Sequence, residues 1–451
     1  MSSISPAEII ARIERLPISR WHNELRFLFG GCTFFTAYDI VVIAFVMPTF
    51  VELWHLTPQD IGALLAVGFA GQFVGAGIFG WAGERFGRLG TLKAAVITLS
   101  VFGVACGFAR SYDALLVFRF LQGVGLGGEV PIAAIYINEL AKAHRRGRFV
   151  LLYVNIVAFA FFAASYGSIW IIPHLGWPWM FYLGAFPIVL LVFIARDVPE
   201  SPRWLARRNH FDQADAAMTA IERRVYGANV PPVSTAGLAV YVPDEPAKFA
   251  DLFGGIYRGR TFTVWCLWAI ALFTTYGLIS WMPSIFRTVY HLSVEKSLRY
   301  AAVANAATCA QAFVTPFLID RLGRRTMAVV GFSLSAAALL AVSAIAGASA
   351  ELVMVMAALG SMGAGMVDQL LWVYTPEIYP TRMRSMGAAY ASAWGRLASL
   401  FTPLLIGAIL AVTHSAVTIF YLFAGASIAG ACIVLLFAIE PAGRLLEEVS
   451  P

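Results

Sequence analysis

Apolar residues in this chain come in long unbroken runs. They fall near 25–50, 61–82, 92–110, 114–138, 149–171 and 178–195, then near 261–286, 298–319, 327–347, 351–375, 387–411 and 416–438. Each run is about the 20 residues that a helix needs to cross a bilayer. Nothing shows the alternation, about ten residues at a time, of a membrane β-barrel. Spanning helices satisfy their own backbone groups, as lipid requires. The pattern predicts an all-α integral membrane protein with 12 transmembrane helices in two pseudo-symmetric six-helix bundles. The segments are 1–24 (an N-terminal stretch with a short amphipathic helix), 25–195 (first bundle), 196–260 (a polar central loop), 261–438 (second bundle) and 439–451 (tail).

The halves echo each other. "GERFGRLG" holds Glu84, Arg85 and Arg88, and "DRLGRRT" holds Asp320, Arg321, Arg324 and Arg325, with the acids 236 residues apart. "NELAKAHRRGR" places Glu139 before Arg146, and "PEIYPTRMRSMG" places Glu377 before Arg384, 238 residues later. "PESPRW" and "EPAGR" repeat Glu200 as Glu440 at a separation of 240. Two six-helix halves related in parallel are a transporter design whose site lies between them.

Charge gives orientation. With the N-terminus inside, 26 of the 32 Lys and Arg fall in inner segments and four in outer loops. That bias puts both termini in the cytoplasm. It also accounts for the net charge of +6, so nucleic acid is not an expected partner. Charged residues make up only 13% of the chain against 59% apolar, far below the charge of a soluble domain. No cleavable signal is evident, and "SPAEIIARIERL" at 5–16 reads as an amphipathic helix at the inner membrane surface. Cys32, Cys106, Cys266, Cys309 and Cys432 sit singly in apolar spans and read as small core residues. No metal cluster, P-loop or hydrolase elbow is visible, so no cofactor and no enzymatic activity are expected.

These motifs resemble the major facilitator superfamily along the whole length. "GWAGERFGR" and "DRLGRR" look like its loop motif after spans 2 and 8, and "RFLQGVGLGGE" like its span-4 motif. "PESPRWL" and "PEIYPTRMRS" resemble the branch of sugar porters, organic ion carriers and metabolite–proton symporters. "AYDIVVIAFVMP", "GLGGEVPIA" and "WGRLASLFTPLLIG" are most similar to bacterial niacin transporters and the synaptic vesicle glycoprotein 2 family. The resemblance implies alternating access by a monomer in the cell inner membrane. It also implies that Glu84, Arg85, Arg88, Glu139, Arg146, Asp320, Arg321, Arg324, Glu377 and Arg384 form a cytoplasmic gate. The loop acids can sit against a neighbouring helix N-terminus while the arginines reach Glu139 or Glu377. The bland alternative is that the arginines only hold topology.

Ionisable groups inside spans are costly and usually functional. Asp39 lies in span 1, Arg119 and Glu129 in span 4, Asp368 in span 10 and Arg396 in span 11. At 1.5 Å per residue, Asp39 is roughly 16 Å from the outer end, between Arg119 at roughly 9 Å and Glu129 at roughly 24 Å. Either Asp39 or Glu129 carries a coupling proton, with Arg119 as the removable cation, or the three form a static ion network. Arg396 either pairs with Asp368 or takes a substrate carboxylate on its planar fork. The resembling anion carriers use an Arg at this point for substrate.

Niacin transporters and their vesicle relatives carry Trp at positions that are Val157 and Asp368 here, and often an acid where Thr36 stands. Tyr153 and Trp372 lie one turn closer to the cytoplasm on the same helix faces and suggest a displaced aromatic clamp. They read equally well as interface or packing aromatics. Tyr276 and Trp281 on span 7 are further cavity candidates. Gln122, Asn155, Asn305 and Gln311 offer hydrogen bonds to a ligand or between helices. The expected function is secondary active transport of a small, niacin-like organic acid with protons. The alternatives are a cationic or neutral polar metabolite such as a polyol, or a non-transporting membrane receptor.

Overall fold

A computed structural model describes residues 6–17, 19–140, 146–227, 229–231, 248–344, 349–380 and 383–441. Among them the chain is helical without strands. Twelve helices are long and apolar enough to span a membrane. The first six spans are α2 (Arg20–Trp54), α3 (Pro58–Phe86), α4 (Arg88–Gly107), α5 (Tyr112–Leu140), α6 (Arg146–Leu175) and a broken helix, α7 (Pro178–Gly184) with α8 (Pro187–Asp197). The break falls at Pro187, which has no N–H to continue the ladder. The second six are α11 (Tyr257–Thr288), α12 (Val294–Leu322), α13 (Arg324–Ala344), α14 (Ala350–Glu377), α15 (Arg384–Thr413) and α16 (Ala416–Phe437).

Two further helices, α9 (Pro202–Arg207) and α10 (Phe211–Tyr226), and a 3-10 turn at Phe249–Phe253 occupy the polar central loop. The short helix α1 (Pro6–Arg15) is amphipathic, but its apolar face does not lie on lipid. Ile9 and Ile13 are fully buried in a core shared with α9, α10 and the first bundle. Polar contacts explain the docking. Arg12 donates to both Glu222 oxygens, at 3.1 and 2.6 Å, and to Asp215 at 2.5 Å, and Arg15 pairs with Glu222. Burial alone would raise the Glu222 carboxyl, but the bonds from Arg12 and Arg15 outweigh it and hold it below the usual range.

A depressed folded-state value stabilises docking above the ordinary Glu range and is lost as pH falls through the depressed value. Acidification is therefore expected to release α1, seen as faster amide exchange over 6–15 at low pH than at neutral pH. Arg12→Ala should do the same at neutral pH by about 1.5–3 kcal/mol, the worth of a lost charge-assisted hydrogen bond, with Arg15 still pairing with Glu222.

Both bundles contribute to one apolar core at the end farthest from the termini. It joins Val41–Met47 and Phe50 of α2 to Leu278, Trp281, Ile285 and Phe286 of α11 and Ile406 and Leu410 of α15. Towards the termini the cores separate: one lies wholly in the first bundle with α1, α9 and α10, the other wholly in the second. At the far end α3 and α15 touch backbone to backbone, because Gly62 abuts the Pro403 carbonyl and Gly407 abuts the Pro58 carbonyl. A side chain at either glycine would wedge the halves apart. An ion pair between Glu52 on α2 and Arg287 on α11 also joins the halves there. The halves thus meet at one end and part towards the other.

Three cysteines, Cys32, Cys106 and Cys309, are core residues as expected, whereas Cys266 and Cys432 lie on exposed helix faces. Those two sit within spans α11 and α16, where an exposed apolar face fits lipid.

Candidate functional site

Two groups of intramembrane polar residues stand apart. The first is sealed inside the N-terminal bundle. Asp39 and Glu129 are 0% exposed and Arg119 2%. Arg119 Nη1 donates to the Asp39 backbone carbonyl at 3.3 Å and to Gln122 Oε1 at 2.6 Å. Its guanidinium also faces the Phe181 ring at 6.0 Å. Both Asp39 carboxylate oxygens are buried without a hydrogen bond. The carboxylate points at Gly184 of α7, where any Cβ would collide with it. Ten residues nearer the termini along α5, Glu129 accepts from Thr33 Oγ1 at 3.0 Å, and its other oxygen has no partner. Asp39 thus lies level with Arg119, while Glu129 lies deeper towards the termini, level with Thr33.

The second group lies where the halves part. On α15, Arg396 shares a helical stripe with Pro403 and Gly407, the residues that abut α3 further out. Its guanidinium has no hydrogen-bond or ion-pair partner among the described residues. Tyr276 of α11 lies in electrostatic range of both Arg396 and Asp368. Its ring crosses to the other half, edge-on to Phe69 of α3 at 5.4 Å and to Phe161 of α6 at 6.2 Å. Asp368 keeps one buried oxygen unpartnered. Arg396 and Asp368 do not pair with each other, so neither neutralises the other.

One turn nearer the termini than Asp368, Trp372 is 36% exposed and stands edge-on to Trp268 at 5.1 Å. Trp268 Nε1 is fixed by Thr375 Oγ1 at 2.9 Å. The other half of the expected clamp, the Tyr153 side chain, lies outside the described residues, as do the side chains of Arg146 and Asp320. Val157 packs at the margin of the shared core. Trp281 is fully buried in that core with its Nε1 unpartnered, so it lines no open space. Asn305 is also buried, its Oδ1 without a partner.

An amide chain crosses the halves. Gln311 of α12 donates to Thr315 at 2.5 Å and to Gln369 Oε1 at 3.2 Å, and Gln369 Nε2 donates to Asn155 Oδ1 of α6 at 3.0 Å. Sequence reasoning named Gln311 and Asn155 but missed Gln369 and Trp268. Gln369 directly follows Asp368 in an apolar run, a signal that was present but overshadowed by its neighbour.

The repeated loop motifs build two matching clusters. Arg88 bridges Glu84 at 2.8 Å and Glu139 at 3.2 Å, and Arg324 bridges Glu377 at 3.0 Å. The acid at the helix N-terminus is not the loop acid Glu84. It is Glu200, which accepts the Arg88 and Leu89 amides at 3.0 and 3.1 Å, and in the second half Glu440, which accepts those of Arg324 and Arg325 at 2.9 and 2.8 Å. Gly87 (φ 103°) and Gly323 (φ 82°) make the approach possible, because a Cβ there would strike the capping carboxylate. Arg85 stacks over Trp81 and Phe86, Arg321 is exposed, and Arg384 opens α15 with its Nε buried and unpartnered. Every ion pair named in these clusters joins parts of one half. They stand intact although the cores at that end are already separate.

Comparison with known proteins places this arrangement. The family model described as "Sugar (and other) transporter" matches residues 26–451. The Niacin transporter NiaP of Acinetobacter baylyi is 32% identical over 98% of this chain and 99% of its own length. A gallate transporter of Pseudomonas putida is 26% identical over 90% of each chain. Among solved structures, a D-xylose-proton symporter superposes with a TM-score of 0.73 at 19% identity, over 95% of this chain and 100% of that one. With its 12 spans and its paired halves, the chain belongs to the sugar (and other) transporter family, the multi-pass secondary transporters of the major facilitator superfamily.

Proposed function

We propose that the protein moves a small aromatic or heteroaromatic carboxylic acid across the cell inner membrane together with protons, as a monomer with both termini in the cytoplasm. The carrying observation is Arg396. An arginine in a spanning helix that faces the gap between halves and has no partner among the described residues is a ready receptor for a carboxylate. The names of two relatives, a niacin and a gallate transporter, are those of aromatic acids, which supports the same class. With the termini inside, the gap opens to the cytoplasm, and the far-end seam of Gly62, Gly407 and Glu52–Arg287 closes the outer side. Rocking of the halves would exchange those contacts for closure at the inner end. The clusters around Arg88 and Arg324 act in this scheme as clasps that keep each half rigid as it rocks. The proton is assigned to the Asp39 group, which holds buried carboxylates next to a cation.

A second reading, a neutral polyol, is favoured by one feature: the amide chain Asn155–Gln369–Gln311 offers donors and acceptors of the kind that hydroxyls use. The discriminating experiment is uptake by vesicles reconstituted with the purified protein, using nicotinate, gallate, benzoate, nicotinamide and D-xylose under an imposed pH gradient. Accumulation of acids but not of nicotinamide or xylose supports the proposal; the reverse order sinks it.

Trp372 is assigned as one wall for the flat ring. Trp372→Ala is expected to weaken binding by about 1–3 kcal/mol and Trp372→Phe to recover most of it. Binding titrations with nicotinate check this, and equal affinity in the alanine variant removes Trp372 from the site.

A further inference from the structure

We propose that a proton relay, Asp39–Thr36–Glu129, runs along the α2/α5 seam inside the first half, walled off from the substrate site between the halves. The inference rests on the symport reading above. Three polar side chains follow one another along this seam, and each keeps an oxygen to spare. Both Asp39 carboxylate oxygens, Thr36 Oγ1 and Glu129 Oε2 are buried without a completed hydrogen bond. Thr33, one turn below Thr36, already holds the other Glu129 oxygen at 3.0 Å and so aims Oε2 along the seam. Thr36 lies within interaction range of Glu129 and one turn from Asp39 on α2. Its hydroxyl can turn to either acid.

The step balances simply. Protonated Asp39 passes its proton to Thr36 Oγ while the Thr36 hydroxyl proton moves to the Glu129 carboxylate. Threonine is unchanged, and one proton has travelled towards the termini. Along α2 only six residues, about 9 Å of helix, separate Asp39 from Thr33, which holds Glu129, and Thr36 stands midway between them.

Few groups interfere. Arg119 and Cys106 face Asp39, Tyr38 adjoins it on α2, and Cys32 faces Glu129. From α7, Gly184 lies against the Asp39 carboxylate, where a Cβ would collide with it. All three relay residues are 0% exposed, so a substrate in the gap cannot touch them. Buried, unpaired acids inside a membrane are the usual material of proton relays.

The test uses the full chain in vesicles, with nicotinate as the first probe and the preferred acid of the panel above if that differs. The readout is the ratio of pH-driven accumulation to counterflow exchange. Thr36→Val keeps the shape and loses the hydroxyl, and it is expected to lower this ratio at least tenfold. Thr36→Ser should restore it to within twofold of the parent, and Glu129→Gln should behave as Thr36→Val does. If Thr36→Val does not fold, Glu129→Gln alone decides by the same ratio. A parent protein that carries the acid only downhill overturns the symport reading itself. A parent that accumulates, with both variants accumulating equally well, overturns the relay and leaves Asp39 acting alone.

Discussion

Asp39→Asn is expected to abolish concentrative uptake. Asparagine keeps the volume and shape of the side chain but cannot titrate. With one proton per substrate, a gradient of one pH unit is worth about 1.4 kcal/mol and supports about tenfold accumulation. The variant should fall to about onefold, and its uptake should no longer rise as the external pH is lowered. The fold should survive at some cost in stability: neither Asp39 oxygen holds a hydrogen bond, but the buried Arg119 loses the negative charge that faces it. Arg119 keeps its bonds to the Asp39 backbone carbonyl and to Gln122, neither of which needs the carboxylate. Vesicle uptake across a stepped pH gradient checks it, and unchanged accumulation would take the proton away from Asp39. The outcome also decides between a coupling acid and a static network. A static network would show as lost thermal stability, with coupling intact in the molecules that remain folded.

Much of the architecture was legible because membrane physics writes it into composition. Runs of about 20 apolar residues set the spans, and the repeated loop motifs marked the halves. The ion pairs Arg88–Glu139 and Arg324–Glu377 agree with what the resemblance implied, that the loop arginines reach Glu139 or Glu377. What the spacing could not show is which acid reaches which amide. Glu200 and Glu440 cap α4 and α13 only because the chain returns to those helix ends after a long excursion, and a linear reading favoured the nearer Glu84. The fate of α1 was hidden for a similar reason. An amphipathic face can be covered by lipid or by protein, and only the partners Glu222 and Asp215, some 200 residues away, decide for protein. Trp281 misled because the polar edge of an indole suggests a cavity, whereas here it is packed into the core that both halves share. Gln369 and Trp268 were missed because amides and indoles in spans are more often glue or anchor than site, and only the fold sets Trp268 against Trp372 and links Gln369 to Asn155 of the other half.

Arg396→Lys is expected to weaken binding of the acid by about 10–100-fold, the 1.5–3 kcal/mol of a charge-assisted hydrogen bond. An ammonium keeps the charge but offers a single point where the guanidinium offers two parallel donors. The geometry makes the test clean. Arg396 has no partner among the described residues and no ion pair with Asp368, so its replacement strands no neighbouring anion. Loss of affinity then reports loss of a ligand contact. Were Asp368 the counter-ion of Arg396, Asp368→Asn would unmask the arginine and raise acid affinity strongly. With the two unpaired, Asp368→Asn should change nicotinate affinity only by what one nearby carboxyl contributes, far less than Arg396→Lys. In the parent, nicotinate should bind at least about tenfold more tightly than nicotinamide, which has the same ring and size but no carboxylate, a difference of about 1.4 kcal/mol. Equal binding of the two would remove the carboxylate from Arg396 and move the substrate class towards the neutral ligands that the amide chain through Gln369 can hold.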